Sequence, residues 1–281
     1  MLYEWGKNMN AVFGGNSFLA NNFINYFEDN HIPYISFGQN KPIIHKNNFV
    51  LTDHTKKNLS PISKYSISNI YLFKSLVRRD IQDIKEYKNK NVILFDRILD
   101  YISKINQVEN IHYFSTTNDL SLELNPIYQE TKNNQEMKIK EYSNNKDVKL
   151  VIHSLPRLIG PRDLNFSRLT PQYLSHKILG TSFELKNPNS MLSFMTVEKL
   201  LDIFFQPAYK KNENIIYNTE FSLKVENYLK LLDNYLKEPK NKTYNSLNLN
   251  EDFSRYLSFI DWYLDNKSIF RAGYEQWRIS N

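Results

Sequence analysis

Tyr128 and Lys132 stand four residues apart in Tyr128-Gln129-Glu130-Thr131-Lys132. On a helix that spacing puts a phenol and an ammonium on one face. A nearby ammonium favours phenolate and lowers a tyrosine pKa from about 10 toward the working range. Such a phenol can give or take a proton at a carbonyl or hydroxyl oxygen while hydride moves to or from a nicotinamide. The same spacing recurs at Tyr3/Lys7, Tyr142/Lys146, Tyr173/Lys177 and Tyr263/Lys267, where a solvated face or loop accounts for it. Context separates Tyr128. It opens a polar helix soon after an apolar stretch that ends in Ser115-Thr116-Thr117, whose hydroxyls could orient the same oxygen.

A second stretch carries chemistry of its own. Gly14-Gly15-Asn16-Ser17-Phe18-Leu19-Ala20 follows the apolar lead-in Ala11-Val12-Phe13 and opens a helical segment. Strand, glycine turn and helix in this order hold a dinucleotide pyrophosphate, because the helix start presents N–H groups and a positive dipole end. The middle and last glycines of the usual spacing are Ser17 and Ala20, both small. Ser17 adds a hydroxymethyl where backbone approaches phosphate, and Ala20 a methyl where helix packs on strand.

The elements that must position these residues alternate through the first half. Strands are predicted at Ala11 to Phe13, Ile32 to Phe37, Asn48 to Leu51, Asn69 to Phe73, Asn110 to Phe114 and Val148 to Leu155. Helices are predicted at Ser17 to Asp29, Val92 to Ile105 and Tyr128 to Tyr142, the last broken at Asn144-Asn145. This alternation predicts an α/β fold: a Rossmann-like, doubly wound parallel sheet. After Gly160-Pro161-Arg162 the rhythm becomes irregular, with helices at Pro171 to Leu179, Val197 to Phe205, Val225 to Leu236 and Phe253 to Leu264, and a short strand at Ile215 to Tyr217. The expected organisation is a dinucleotide-binding domain over 1–160 and a smaller, mainly substrate-binding region over 161–281, with segments near 191–220 returning to the sheet.

Composition narrows the function classes. The chain has 281 residues, 41% hydrophobic and 14% aromatic, enough to bury a sizeable core. The net charge of +6 is spread along the chain in short clusters such as Lys56-Lys57 and Lys210-Lys211, so a nucleic-acid surface is not expected. Cysteine is absent, which excludes disulfides and thiolate chemistry. No apolar run is long enough for a membrane span, and Met1 to Asn10 has no secretory-signal pattern, so a cytoplasmic chain is expected. The six histidines include no i, i+4 pair and no metal site is expected; His112 and His153 read as satisfied core residues.

The order of motifs resembles one family. Gly14-Gly15-x-x-Phe18-Leu19, Asp53 after the third strand, Asn91 opening a helix, Ser115-Thr116-Thr117, Tyr128-x-x-x-Lys132 and Arg157-Leu158-Ile159-Gly160-Pro161-Arg162 together are similar to an extended short-chain dehydrogenase/reductase. This is the nucleotide-sugar epimerase/dehydratase/reductase group, and the resemblance covers roughly Asn10 to Phe205. It implies an NAD(P)-dependent enzyme on a nucleotide-activated sugar, of the kind that serves polysaccharide biosynthesis. Phe13-Gly14 resembles the 4-ketoreductases, which points to a 4-keto-6-deoxysugar reductase. The alternatives are an epimerase of the same fold and a catalytically silent dinucleotide-binding or regulatory protein.

The resemblance also implies roles at matched positions. Thr116, Tyr128 and Lys132 would be catalytic, with Tyr128 and Lys132 also touching cofactor. Gly14, Ser17, Phe18 and Leu19 would meet the pyrophosphate, Gln39 and Asn40 the ribose, and Asp53 the adenine. Leu72 and Lys74 would line the cofactor cleft. Thr117, Asn118, Arg157 and Arg162 would bind substrate. Thr117-Asn118 replace the Asp-Glu of the dehydratases, which argues against dehydration. No acid ends the second strand and Lys41 is near, so NADP is preferred over NAD. A homodimer through the helices carrying Asn91 and Tyr128 is compatible with the resemblance. Such an interface would be wet, given the polar residues Asn133, Asn134, Glu136, Lys138 and Lys140 outside the catalytic face.

Overall fold

The computed structural model describes residues 9–38, 44, 48–50, 66–73, 89–105, 108–116, 126–185, 187–206, 214–237 and 256–280. The chain divides into two compact units, Met1–Leu155 with Phe205–Tyr217, and Pro156–Phe204 with Asn218–Asn281.

The first unit is built on strands β1 (Met9–Phe13), β2 (Tyr34–Gly38), β3 (Asn48–Val50), β4 (Ile67–Leu72), β5 (Asn110–Thr116), β6 (Lys149–Leu155) and, returning late in the chain, β9 (Asn214–Ile216). They form one sheet in the order β3-β2-β1-β4-β5-β6-β9, with every neighbouring pair parallel. The order reverses between β1 and β4. That reversal makes a crevice at the carboxyl ends of the strands, where ligands of open α/β sheets bind.

Helices cover both faces. On one side α1 (Phe18–Asp29) buries Phe23, Ile24 and Phe27, and Phe23 packs on Tyr71, Phe73, Phe114 and Phe205 at 4.9–6.0 Å between ring centres. On the other, α2 (Leu94–Ile102) and α3 (Pro126–Lys146) bring Phe95, Ile98, Ile102 and Ile139 onto Ile70, Ile111 and Tyr113. A π-type turn at Asn89–Ile93 leads into α2, so the helix expected from Val92 starts with a widened turn.

Two polar devices fix this sheet from inside. At its amino-terminal edge, the Asn69 amide donates to Asn10 Oδ1 and the Asn110 amide to Asn69 Oδ1, each at 3.0 Å, while Asn10 donates to the Pro33 carbonyl. This ladder crosses β1, β4 and β5 and pins their register. In the middle of the sheet, His112 Nδ1 lies 3.0 Å from His153 Nε2, and His153 Nδ1 lies 3.0 Å from the Tyr217 hydroxyl. The two histidines are satisfied core residues, stacked between Tyr71 and Phe114. Burial and the neighbouring His112 hold His153 well below the ordinary histidine pKa.

The helix α3 departs from expectation at its end. It runs through Asn144-Asn145 to Lys146 and stops at Asp147, which takes a left-handed φ of 51°. Ser143 stitches this end by donating to the Val148 carbonyl at 2.5 Å. Asparagine at the last helical turn costs little when a side-chain bond closes it.

The second unit carries three short strands, β7 (Leu158–Ile159), β8 (Met191–Thr196) and β10 (Phe221–Lys224), in the order β10-β8-β7. Of the stretch 191–220 expected to return to the large sheet, 205–217 groups with the first unit, while β8 joins this small sheet. Around it lie α4 (Leu169–Leu179), α5 (Val197–Phe204), α6 (Val225–Lys237), α7 (Phe259–Asp265) and α8 (Lys267–Ser280). Their core holds Phe166, Phe194, Tyr228, Leu232, Tyr263 and Phe270. Helix α8 was not legible in the sequence because Gly273 weakens its helical pattern. A Cβ there would lie 2.9 Å from Leu164 Cδ1, so the glycine serves close packing.

Candidate active site

The glycine turn joins β1 to α1 at the crevice. Gly14 adopts φ 89°, a conformation that favours glycine. The Gly14 and Gly15 N–H groups both donate to the Phe37 carbonyl, at 2.9 and 2.8 Å, which ties the turn to the end of β2. Ser17 N–H closes the turn on the Gly14 carbonyl at 2.8 Å, and Ser17 Oγ accepts from Ala20 N–H at 3.3 Å as the N-cap of α1. The hydroxyl that replaces a glycine is thus directed into the helix start, where it caps one N–H. Ala20 is fully buried. Phe18 and Leu19 open the helix, with Phe18 buried. The turn keeps what a pyrophosphate needs: a glycine at the strained φ, small residues after it, and a helix start behind it.

Along β5 the alternation sends Tyr113 and Ser115 toward α3, and His112 and Phe114 toward the other face. The helix answers with a buried face that is polar: Thr131, Lys132 and Gln135 are 4%, 5% and 1% exposed. Lys132 Nζ donates to the Phe114 carbonyl at 2.8 Å and stands 4.9 Å from the centre of the Tyr113 ring. The Tyr113 hydroxyl donates to Gln135 Oε1 at 3.0 Å, and Gln135 Nε2 donates to the Asn91 carbonyl at 2.7 Å. Strand, helix and π-type turn are locked together around the lysine.

The electrostatics of that lysine are unusual. Burial pushes its pKa down to about 7, and the Glu136 carboxylate partly opposes the shift. Glu136 accepts a short hydrogen bond from Ser115 Oγ, and its other oxygen is 3.8 Å from Lys140 Nζ. The sequence reading set Glu136 on the polar side of the helix away from Lys132; its carboxylate instead turns to Ser115 and acts on the lysine. The i, i+4 spacing from Lys132, the same rule that singled out Tyr128, was the available signal.

The remaining expected residues fall in several places. Tyr128 lies in the first turn of α3, one turn before Lys132. Thr116 is the last residue of β5, beside Ser115. Leu72 ends β4, buried next to the crevice, and the following Phe73 N–H donates to the Phe13 carbonyl at 3.0 Å. Gln39, Asn40, Asp53, Lys74, Thr117 and Asn118 lie outside the described residues. Arg157 and Arg162 belong to the second unit. The Arg157 carbonyl accepts from Met195 N–H at 2.9 Å, which joins β7 to β8. Arg162 has φ 66° and places its guanidinium 5.7 Å from the Trp262 ring centre. Among the described residues no three His, Asp or Glu side chains gather as metal ligands, and no helix is long and apolar enough to cross a membrane.

A parallel sheet reversing at β1/β4, a glycine turn at that reversal, and a buried lysine on the helix after β5 define a dinucleotide enzyme of the short-chain dehydrogenase/reductase type. Residues 11–206 match the model of the NAD dependent epimerase/dehydratase family, and the chain belongs to that family. Solved structures agree in fold. The enzyme WbmF of Bordetella bronchiseptica, in complex with NAD+, superposes with a TM-score of 0.74 at 12% identity over 99% of this chain and 98% of that one. UDP-glucose 4-epimerase of Thermotoga maritima, with UDP-glucose, gives 0.71 at 14% over 92% and 99%. The dTDP-glucose 4,6-dehydratase of Bacillus anthracis, in complex with NAD, gives 0.69 at 14% over 95% and 100%. No curated protein is similar to the chain at the level of sequence.

Proposed function

We propose that the protein is an NAD(P)-dependent oxidoreductase acting on a nucleotide-activated sugar, as a 4-keto-6-deoxysugar reductase. The observation that supports this best is Lys132, buried and bonded to the Phe114 carbonyl, one helical turn after Tyr128 and beside the strand that ends in Thr116. In this reading Tyr128 gives its phenolic proton to the oxygen being reduced. Lys132 in its charged form stabilises the resulting phenolate and meets the nicotinamide ribose, and Thr116 orients the reacting oxygen. The bound nicotinamide supplies the hydride. Gly14, Ser17, Phe18 and Leu19 hold the pyrophosphate; Gln39, Asn40, Asp53, Leu72 and Lys74 complete the cofactor cleft. Thr117, Asn118, Arg157 and Arg162 take the substrate, the arginines through its diphosphate.

The cofactor we assign is NADP in preference to NAD, because no carboxylate ends β2 to repel a 2′-phosphate. A homodimer through α2 and α3 belongs to the same proposal. Met137 on α3 and Ile93 in the π-type turn that leads into α2 are large apolar side chains, 64% and 44% exposed, that such an interface would cover.

Epimerisation is the second reading, favoured by the family and by the named activity of the Thermotoga maritima relative. It uses the same residues and returns the hydride to the sugar. Incubation with a 4-keto sugar nucleotide and NADPH separates the two. A reductase consumes one NADPH for each sugar reduced. An epimerase interconverts sugar nucleotides with no net change in the nicotinamide.

A further inference from the structure

Gly38 ends β2 directly beside the glycine turn, because the Phe37 carbonyl before it receives the Gly14 and Gly15 N–H groups. Gly38 is buried and Asn16 half-buried. A Cβ placed on Gly38 would lie 2.8 Å from Asn16 Cγ, Oδ1 and Nδ2 alike. The amide of Asn16 therefore covers the space that a side chain at the end of β2 would fill. In dinucleotide-binding sheets this strand end, about 20 residues past the turn, carries the acid that binds the adenosine ribose hydroxyls. In this chain the acid is missing and an amide from the turn itself stands over its place.

We propose that Asn16 reads the adenosine ribose in place of the acid missing at Gly38, and that its neutral amide admits NADPH as readily as NADH. The inference rests on the dinucleotide reading above and adds the residue that sets cofactor choice. The chemistry follows from the groups. An amide offers both donors and an acceptor, so it can bond a ribose hydroxyl or a phosphate oxygen. An ionised carboxylate only accepts, and it repels a 2′-phosphate.

The test is calorimetric titration of the full chain with NADPH and with NADH, for the wild type, Asn16→Asp and Asn16→Ala. Asn16→Asp keeps the side-chain shape and exchanges the N–H donors for a negatively charged acceptor. The wild type should bind NADPH at least as tightly as NADH. Asn16→Asp should keep NADH affinity within about threefold and weaken NADPH by roughly a hundredfold. Asn16→Ala should weaken both by about three- to tenfold, the loss of a hydrogen bond. An unmoved NADPH-to-NADH ratio in Asn16→Asp, from a variant that melts like the wild type, overturns the inference and leaves the dinucleotide reading standing. A folded wild type that binds neither dinucleotide overturns both.

Discussion

Glu136 and Lys132 lie on one face of α3, and the carboxylate works against the burial that pulls the lysine pKa down to about 7. The Tyr113 phenol, the Ser115 hydroxyl and the Phe114 carbonyl face this pair from β5, none of them charged at neutral pH. Glu136 is thus the charged partner of the lysine among the described residues.

This relationship predicts a pH profile. In the proposed mechanism Lys132 acts in its protonated form, so keto reduction should decline as pH rises through about 7. Removing the carboxylate lowers the lysine pKa further. Glu136→Gln should therefore shift the alkaline limb of kcat to lower pH, and Glu136→Asp should restore part of the shift. A profile identical to wild type in Glu136→Gln would show that the carboxylate has no hold on the lysine.

His153 predicts an acid limit to stability. Its folded pKa lies well below 6.5, whereas an unfolded histidine titrates near 6.5. Below that pH the unfolded chain binds more protons, so stability is full above about 6.5 and falls as pH drops. The urea midpoint should decline as pH falls below about 6.5, and less so in His153→Gln. Equal pH dependence in the two proteins would place the loss elsewhere.

Tyr263, read from the sequence as part of a solvated face or loop, is instead fully buried and organises the second unit. Its hydroxyl donates to the Gly160 carbonyl at 3.0 Å and accepts from Asp163 N–H at 3.1 Å, beside the buried Asp163 carboxylate that pairs with the partly exposed Arg168. Tyr263→Phe leaves two buried backbone groups without this partner and should cost about 1–3 kcal/mol in chemical denaturation. A loss below about 0.5 kcal/mol would mean that solvent or other groups replace the hydroxyl.

The first unit was largely legible in the sequence. Val151-Ile152 and Ile111-His112-Tyr113-Phe114 form nearly continuous apolar runs, which strands buried on both faces require. Tyr128/Lys132 gained meaning from the strand before it. Other features depend on neighbours distant in sequence. The buried face of α3 is Thr131, Lys132 and Gln135, so hydrophobic periodicity says nothing there. Strands β7, β8 and β10 are two, six and four residues long and gain stability from pairing with one another. The Asn16–Gly38 contact joins a turn to a strand end that only the parallel pairing of β1 and β2 brings together.

The central claim is that Tyr128 transfers the proton while Lys132 supports it. Its most direct measurement is the single-turnover rate of NADPH oxidation with a 4-keto sugar nucleotide, for the wild type and Tyr128→Phe. The account predicts a loss of about a hundredfold or more in Tyr128→Phe, with NADPH affinity changed by less than about threefold. Wild-type turnover in the folded Tyr128→Phe protein would contradict it.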